Sequence, residues 1–198
     1  MIHANSIVLF KDIESNLMIS QVKFFDDLGN DLLIGIGYKT DIFPIKEIRK
    51  DGGIIRNYLE GKTSGIKWLS DNQEIVKSRC SFGYPSVDLK YIIAIYPIED
   101  AEYPSPNNAV VYTANGMLHK VIRLPAFALG QLSSNPKENP PESFTPDSAF
   151  FDQVRWRQDR EGEIATTVRV IYNREWFEER ILDPETGELR ECINSGKV

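Results

Sequence analysis

Apolar and polar residues alternate with a period of two along most of this 198-residue chain, and that period predicts strands. The clearest runs are near the C-terminal end. Residues 164–173 and 175–182 alternate, Asp183-Pro184-Glu185-Thr186-Gly187-Glu188 supplies a turn, and a shorter run ends at Cys192. Residues 174–179 have fair helical propensity, but the alternation favours a strand there. Upstream, residues 150–158 pair with 164–173 through Arg160-Glu161-Gly162-Glu163.

The first part of the chain repeats the theme. Residues 6–13 and 17–25 read as strands, the second with some slippage in its alternation, and Asp26 to Asp31 is a turn cluster. Residues 32–39 follow as a strand. Gly35 and Gly37 fall on one face of it, spacing that suits a bulky aromatic packed over that face. Residues 42–49 and 54–58 flank Asp51-Gly52-Gly53 as a hairpin, with Pro44 at an edge or bulge. Residues 66–69 pair with 74–82 through Ser70-Asp71-Asn72-Gln73. The run from Tyr91 to Tyr96 is almost continuously apolar, as expected of a central strand buried on both faces. Residues 109–114 and 117–124 enclose Asn115-Gly116, a pair suited to a type I′ turn.

Residues 126–147 break the pattern, with Pro136, Pro140, Pro141 and Pro146 among Ser, Asn and Glu. They read as a long loop, with a helical turn near 127–132, leaving one domain rather than joining two. The expectation is mainly β: a single antiparallel β-meander domain over 1–198, propeller-like, barrel or sandwich, with few or no helices.

Composition narrows the function classes. The net charge is −6 and no Lys/Arg cluster is present, which argues against direct binding of nucleic acid and for a cationic partner. No run approaches the length of a spanning helix, and the short apolar stretch at 6–10 lacks a basic leader, so a cytoplasmic protein is expected. Cys80 and Cys192 lie far apart in strand-like runs and read as buried, reduced thiols.

The residues offer little catalytic chemistry. His3 and His119 are the only histidines, and no Cys, His, Asp or Glu clusters at ligand spacing beside them, so neither a metal nor a cofactor is expected. Gly35-Ile36-Gly37 lacks the third glycine and the helix of a dinucleotide loop. Adjacent carboxylates such as Glu178/Glu179 point to opposite faces of a strand and form no acid/base dyad by themselves. An enzyme is not expected. The alternatives that stay open are a carbohydrate-active or other small-molecule β enzyme with a cleft carboxylate pair, and a structural or adaptor β module.

Acidic turns carry the positive signal. Glu99, Asp100, Glu102 and Tyr103 combine charge with an aromatic in a proline-bearing loop, where Tyr103 is expected to be exposed. Asp159, Glu161, Glu163, Asp183, Glu185 and Glu188 supply acidic turn residues further on. Between Arg174 and Glu191 there are seven carboxylates, at 175, 178, 179, 183, 185, 188 and 191, against three arginines at 174, 180 and 190. Trp68, Trp156 and Trp176 lie in strands, as core or as interface anchors.

The hairpin from Ala109 to Pro125 resembles a segment of small β-rich bacterial proteins encoded beside polymorphic toxins, and the tail Arg174-Glu175-Trp176-Phe177-Glu178-Glu179-Arg180 through Glu188 is similar in kind. Both resemble immunity proteins of contact-dependent growth inhibition systems, among them those paired with EndoU-type ribonuclease toxins. The resemblance implies a cytosolic inhibitor, a monomer or weak oligomer, that binds a cognate nuclease toxin over its active site without turnover. It carries no functional residue over by position.

Overall fold

The computed structural model describes residues 18–32, 34–38, 45–50, 53–58, 63–124 and 149–198. The expected strand at 6–13, Pro44 and the segment 126–147 lie outside them. Fourteen strands and no helix occur among the described residues. They are β1 (Ile19–Phe25), β2 (Asp31–Leu32), β3 (Ile45–Lys50), β4 (Gly53–Tyr58), β5 (Gly65–Ser70), β6 (Gln73–Ser78), β7 (Phe82–Pro85), β8 (Tyr91–Ile95), β9 (Ala109–Thr113), β10 (Leu118–Val121), β11 (Phe150–Gln158), β12 (Ile164–Tyr172), β13 (Trp176–Leu182) and β14 (Leu189–Lys197).

The strands form three four-stranded antiparallel sheets, none closed into a barrel, and the separate β3–β4 hairpin. Sheet I has the order β2-β1-β5-β6, sheet II β10-β9-β8-β7 and sheet III β11-β12-β13-β14. The slippage in 17–25 is a bulge: Gln21 takes a φ of 49° and the β1–β5 register shifts across it. The apolar run at 91–95 is β8, inside sheet II with four of its five residues buried.

Several expectations are corrected. The run 74–82 is two strands in different sheets, because Arg79 takes a left-handed φ of 68° between β6 and β7. Of the expected 32–39 strand, only Leu32 is paired among the described residues, in β2 with Asp31. Gly35 and Gly37 instead clasp an aromatic tip: Tyr84 donates its hydroxyl to the Gly35 carbonyl at 2.9 Å and accepts from the Gly37 N–H at 2.9 Å. Asn115-Gly116 does not form a type I′ turn, since only Gly116 takes positive φ. It belongs to a three-residue loop in which Gly116 donates to the Thr113 carbonyl and Thr113 to that of Met117. The last strand continues beyond Cys192 to Lys197.

One buried apolar cluster draws on all three sheets. It includes β7, buried along its whole length and packed against β1, β5 and β11. Indole groups fasten the sheets. Trp68 donates to the Ala114 carbonyl at 2.7 Å, joining sheet I to II, and Trp156 donates to that of Pro85 at 2.8 Å, joining III to II. Trp68 and Trp176 are buried, while Trp156 is half-buried. Cys80 and Cys192 are both free and buried, and burial pushes the Cys80 thiol up to about 12.

Candidate functional site: the acidic turns

Antiparallel meanders place successive turns at alternate ends, so the acidic turns sort into two groups. The turns after β5, β7, β9, β11 and β13 share one end, tied together by Trp68 to Ala114, Val87 N–H to Thr166 Oγ1 at 3.0 Å and His119 Nε2 to the Glu185 carbonyl at 2.7 Å. The long loop after β8 lies at the opposite end, with the Arg79 bend and the start of β11. Glu99, Asp100, Glu102 and Tyr103 therefore sit at the far end from Asp159, Glu161, Glu163, Asp183, Glu185 and Glu188. No single flat interface takes in all ten.

The group at the far end is largely used internally. Asp100 is buried and accepts from the N–H groups of Glu102 and Tyr103, each at 2.9 Å, and from Arg79 at 3.3 Å. Burial opposes its ionisation, but these donors outweigh burial and hold its carboxyl below the usual range. Glu102 is exposed but pairs with Arg79 at 2.8 Å. Tyr103 is not exposed: its ring packs on Tyr96, centroids 4.8 Å apart, and its phenol is pushed up by burial. Of these four residues, only Glu99 is both exposed and without an ion pair to another described residue.

At the near end, each turn divides its carboxylates between two roles. The leading aspartate serves the backbone. Asp159 accepts from the N–H groups of Glu161 and Glu163, both at 2.9 Å, and Asp183 from those of Glu185 at 3.0 Å and Thr186 at 3.3 Å. Asp26 caps the β1–β2 turn the same way, from Leu28 and Asn30. The pattern is local chemistry: an aspartate opens the loop, its oxygen satisfies the freed N–H groups, and a glycine closes it with positive φ (Gly29, Gly162, Gly187). Asp183 also pairs with Arg190; its own burial resists ionisation, but the two N–H groups and the guanidinium overcome this and lower its pKa.

The glutamates that follow point outward. Glu161, Glu163, Glu185 and Glu188 are all exposed, and no cation among the described residues pairs with them. The two turns bracket sheet III two strand spacings apart, about 10 Å, so their glutamates form one negatively charged rim. Among residues whose burial is described, no aromatic ring is exposed, so no aromatic anchor joins this rim.

The acidic tail is less exposed than its sequence implies. On β13, Glu178 and Arg180 share the inner face with Trp176 and Leu182. Glu178 is fully buried, accepts from Arg180 Nε at 2.7 Å and Tyr172 hydroxyl at 3.1 Å, and its other oxygen has no partner. Burial raises its pKa against the pull of Arg180. Glu179, on the outer face, is enclosed by Arg157 at 3.0 Å and Arg155 at 3.4 Å. Neither carboxylate belongs to a docking surface. The signal was in the sequence: alternation sets Glu178 in register with Trp176 and Leu182.

Beside the rim is an open cleft of about 630 Å³ between β10 and the β13–β14 turn, a feature the sequence reading did not single out. His119 forms part of its wall, half-buried, stacked on Tyr91 with centroids 5.2 Å apart. The cleft lining includes a single carboxylate, Glu188, rather than a facing pair. No group of three His, Cys, Asp or Glu among the described residues could hold a metal ion. Comparisons with protein-family models, with curated proteins and with solved structures return no match to this chain.

Proposed function

We propose that the protein is an immunity-type inhibitor that binds a basic toxin domain, a nuclease in the reading that best suits its charge, and blocks it stoichiometrically in the cytosol. The observation that carries this reading is the near-end rim: four exposed, unpaired glutamates on turns held in shape by Asp159 and Asp183. A preformed acidic rim suits fast association with a cationic surface and adds little ordering cost on binding. Of the two candidate surfaces, the rim is the contact, because the Glu99 loop spends Asp100, Glu102 and Tyr103 on its own structure.

The test is co-expression with a basic nuclease toxin domain, taken from any toxin gene found adjacent to this one, read as growth rescue and as the association rate at several salt concentrations. Glu185→Lys/Glu188→Lys is expected to slow association at least tenfold and flatten its salt dependence. Glu99→Lys is expected to change little. Equal binding by the rim variant and the wild type across salt would refute the rim; absence of any complex would refute the inhibitor reading itself.

A further inference from the structure

The cleft beside the rim differs in charge from the molecule that carries it. The chain has a net charge of −6, yet the cleft lining brings Lys120 and Arg123 together against one carboxylate, Glu188. Both cations are exposed, and no carboxylate among the described residues pairs with either. Elsewhere the described arginines are largely engaged: Arg79, Arg155, Arg157, Arg169, Arg180 and Arg190 all lie on Asp or Glu. Lys120 and Arg123 thus bring two cations into one concavity without an ion pair among the described residues.

The walls are held in place. A carbonyl oxygen only accepts, so His119 donates its Nε2 proton to Glu185, and with the Tyr91 stack this fixes the imidazole against the turn. Gly187 allows the turn to approach β10: a Cβ there would stand 3.0 Å from Lys120 Cβ, and its φ of 77° already disfavours a side chain. Thr186 Oγ1 accepts from the Glu188 N–H at 3.3 Å, which leaves its own proton to donate. Val121 and Leu189 add apolar surface to the same lining.

We infer that this cleft is a binding site for a small organic anion, its carboxylate or phosphate group held by Lys120, Arg123 and the Thr186 hydroxyl, and its apolar part resting on Val121 and Leu189. The volume is in the range of small-molecule sites. Lys and Arg recognise both oxyanions, Arg as a bidentate fork and Lys as a point charge. Glu188 at the margin excludes multiply charged anions more strongly than singly charged ones. The site does not depend on the inhibitor reading and stands or falls separately.

The experiment is an NMR titration of the ¹⁵N-labelled full chain with benzoate, phenyl phosphate and benzylamine at fixed ionic strength. Saturable shifts at the amides of Lys120, Val121, Thr186 and Gly187 are expected with at least one of the two anions and not with benzylamine. Tighter binding of benzoate assigns a carboxylate ligand, and tighter binding of phenyl phosphate assigns a phosphate. The double variant Lys120→Ala/Arg123→Ala changes two exposed side chains and keeps the fold, checked by its circular dichroism. It is expected to weaken binding at least tenfold, whereas Glu188→Gln tightens it. Non-saturating shifts, equal binding of benzylamine, or an undiminished affinity in the double variant would overturn the assignment.

Discussion

Asp183→Ala separates a structural carboxylate from a contact carboxylate within one turn. The substitution deletes an acceptor for the N–H groups of Glu185 at 3.0 Å and Thr186 at 3.3 Å, and the partner of Arg190. Both N–H groups belong to exposed residues, where water takes over as acceptor, so each bond contributes about 0.5–1 kcal/mol. Arg190 is 62% exposed, and an ion pair so open to solvent adds about 0–1 kcal/mol. The sum is about 2 kcal/mol, or roughly 4–8 °C in Tm for a chain of this length. Asp183→Asn keeps an acceptor oxygen for the two N–H groups and loses only the ion pair, so it is expected to cost less than about 1 kcal/mol. Glu185→Gln, two positions further along the same turn, is expected to change stability by less than about 0.5 kcal/mol. Urea unfolding followed by tryptophan fluorescence measures all three. If Asp183→Ala proved as stable as the wild type, or Asp183→Asn as damaging as Asp183→Ala, the assignment of this aspartate to the backbone would be wrong.

Two further outcomes follow from the packing and the charges. Trp68→Phe removes the indole donor from the Ala114 carbonyl and some buried ring volume, with an expected cost of about 2–4 kcal/mol in urea unfolding; a cost below about 1 kcal/mol would mean that this joint between sheets I and II contributes little. Stability is also expected to fall in acid. The carboxyls of Asp100 and Asp183 are held below their usual 3.8, so the unfolded chain binds more protons there; the stability they confer is complete above about 3.8 and drains away as pH falls through their folded values. Glu178 acts in the opposite sense: its raised pKa means a contribution that is full below 4.5 and lost as pH rises. Urea midpoints between pH 7 and pH 3 check this, and Asp183→Asn is expected to remove part of the acid loss.

Most strands were legible because a period of two and turn residues are local signals. The hairpins β9–β10, β11–β12 and β13–β14 were read close to their observed places. What failed depended on information distant in sequence. The run 74–82 keeps its extended character through the Arg79 bend, so nothing local says that β7 leaves one sheet for another. Tyr103 looks exposed in an acidic, proline-bearing loop, and only the cap from Asp100 and the ring of Tyr96 turn it inward. Charge counting made the same error on β13, where Glu178 and Glu179 look like surface residues until Arg180 on one face and Arg157 on the other are set beside them. The cleft was illegible for a related reason: Lys120 and Thr186 lie far apart along the chain and meet only when sheet III docks on sheet II.

The neighbour-to-neighbour order of sheets II and III bears on how the chain acquires its structure as it is made. Each of those sheets is complete once four consecutive strands have left the ribosome, and every pairing but β8–β9, which spans residues 96–108, closes a short turn, which is kinetically easy. Sheet I is different: β1 must wait for β5, with the β3–β4 hairpin emerging in between. Strand β7 waits longer still, because it also packs against β11, which follows it by more than sixty residues. Until then β7 lacks that cover, including Trp156 against the Tyr84 ring, so a nascent chain arrested before residue 150 would expose apolar surface that β11 buries in the finished protein.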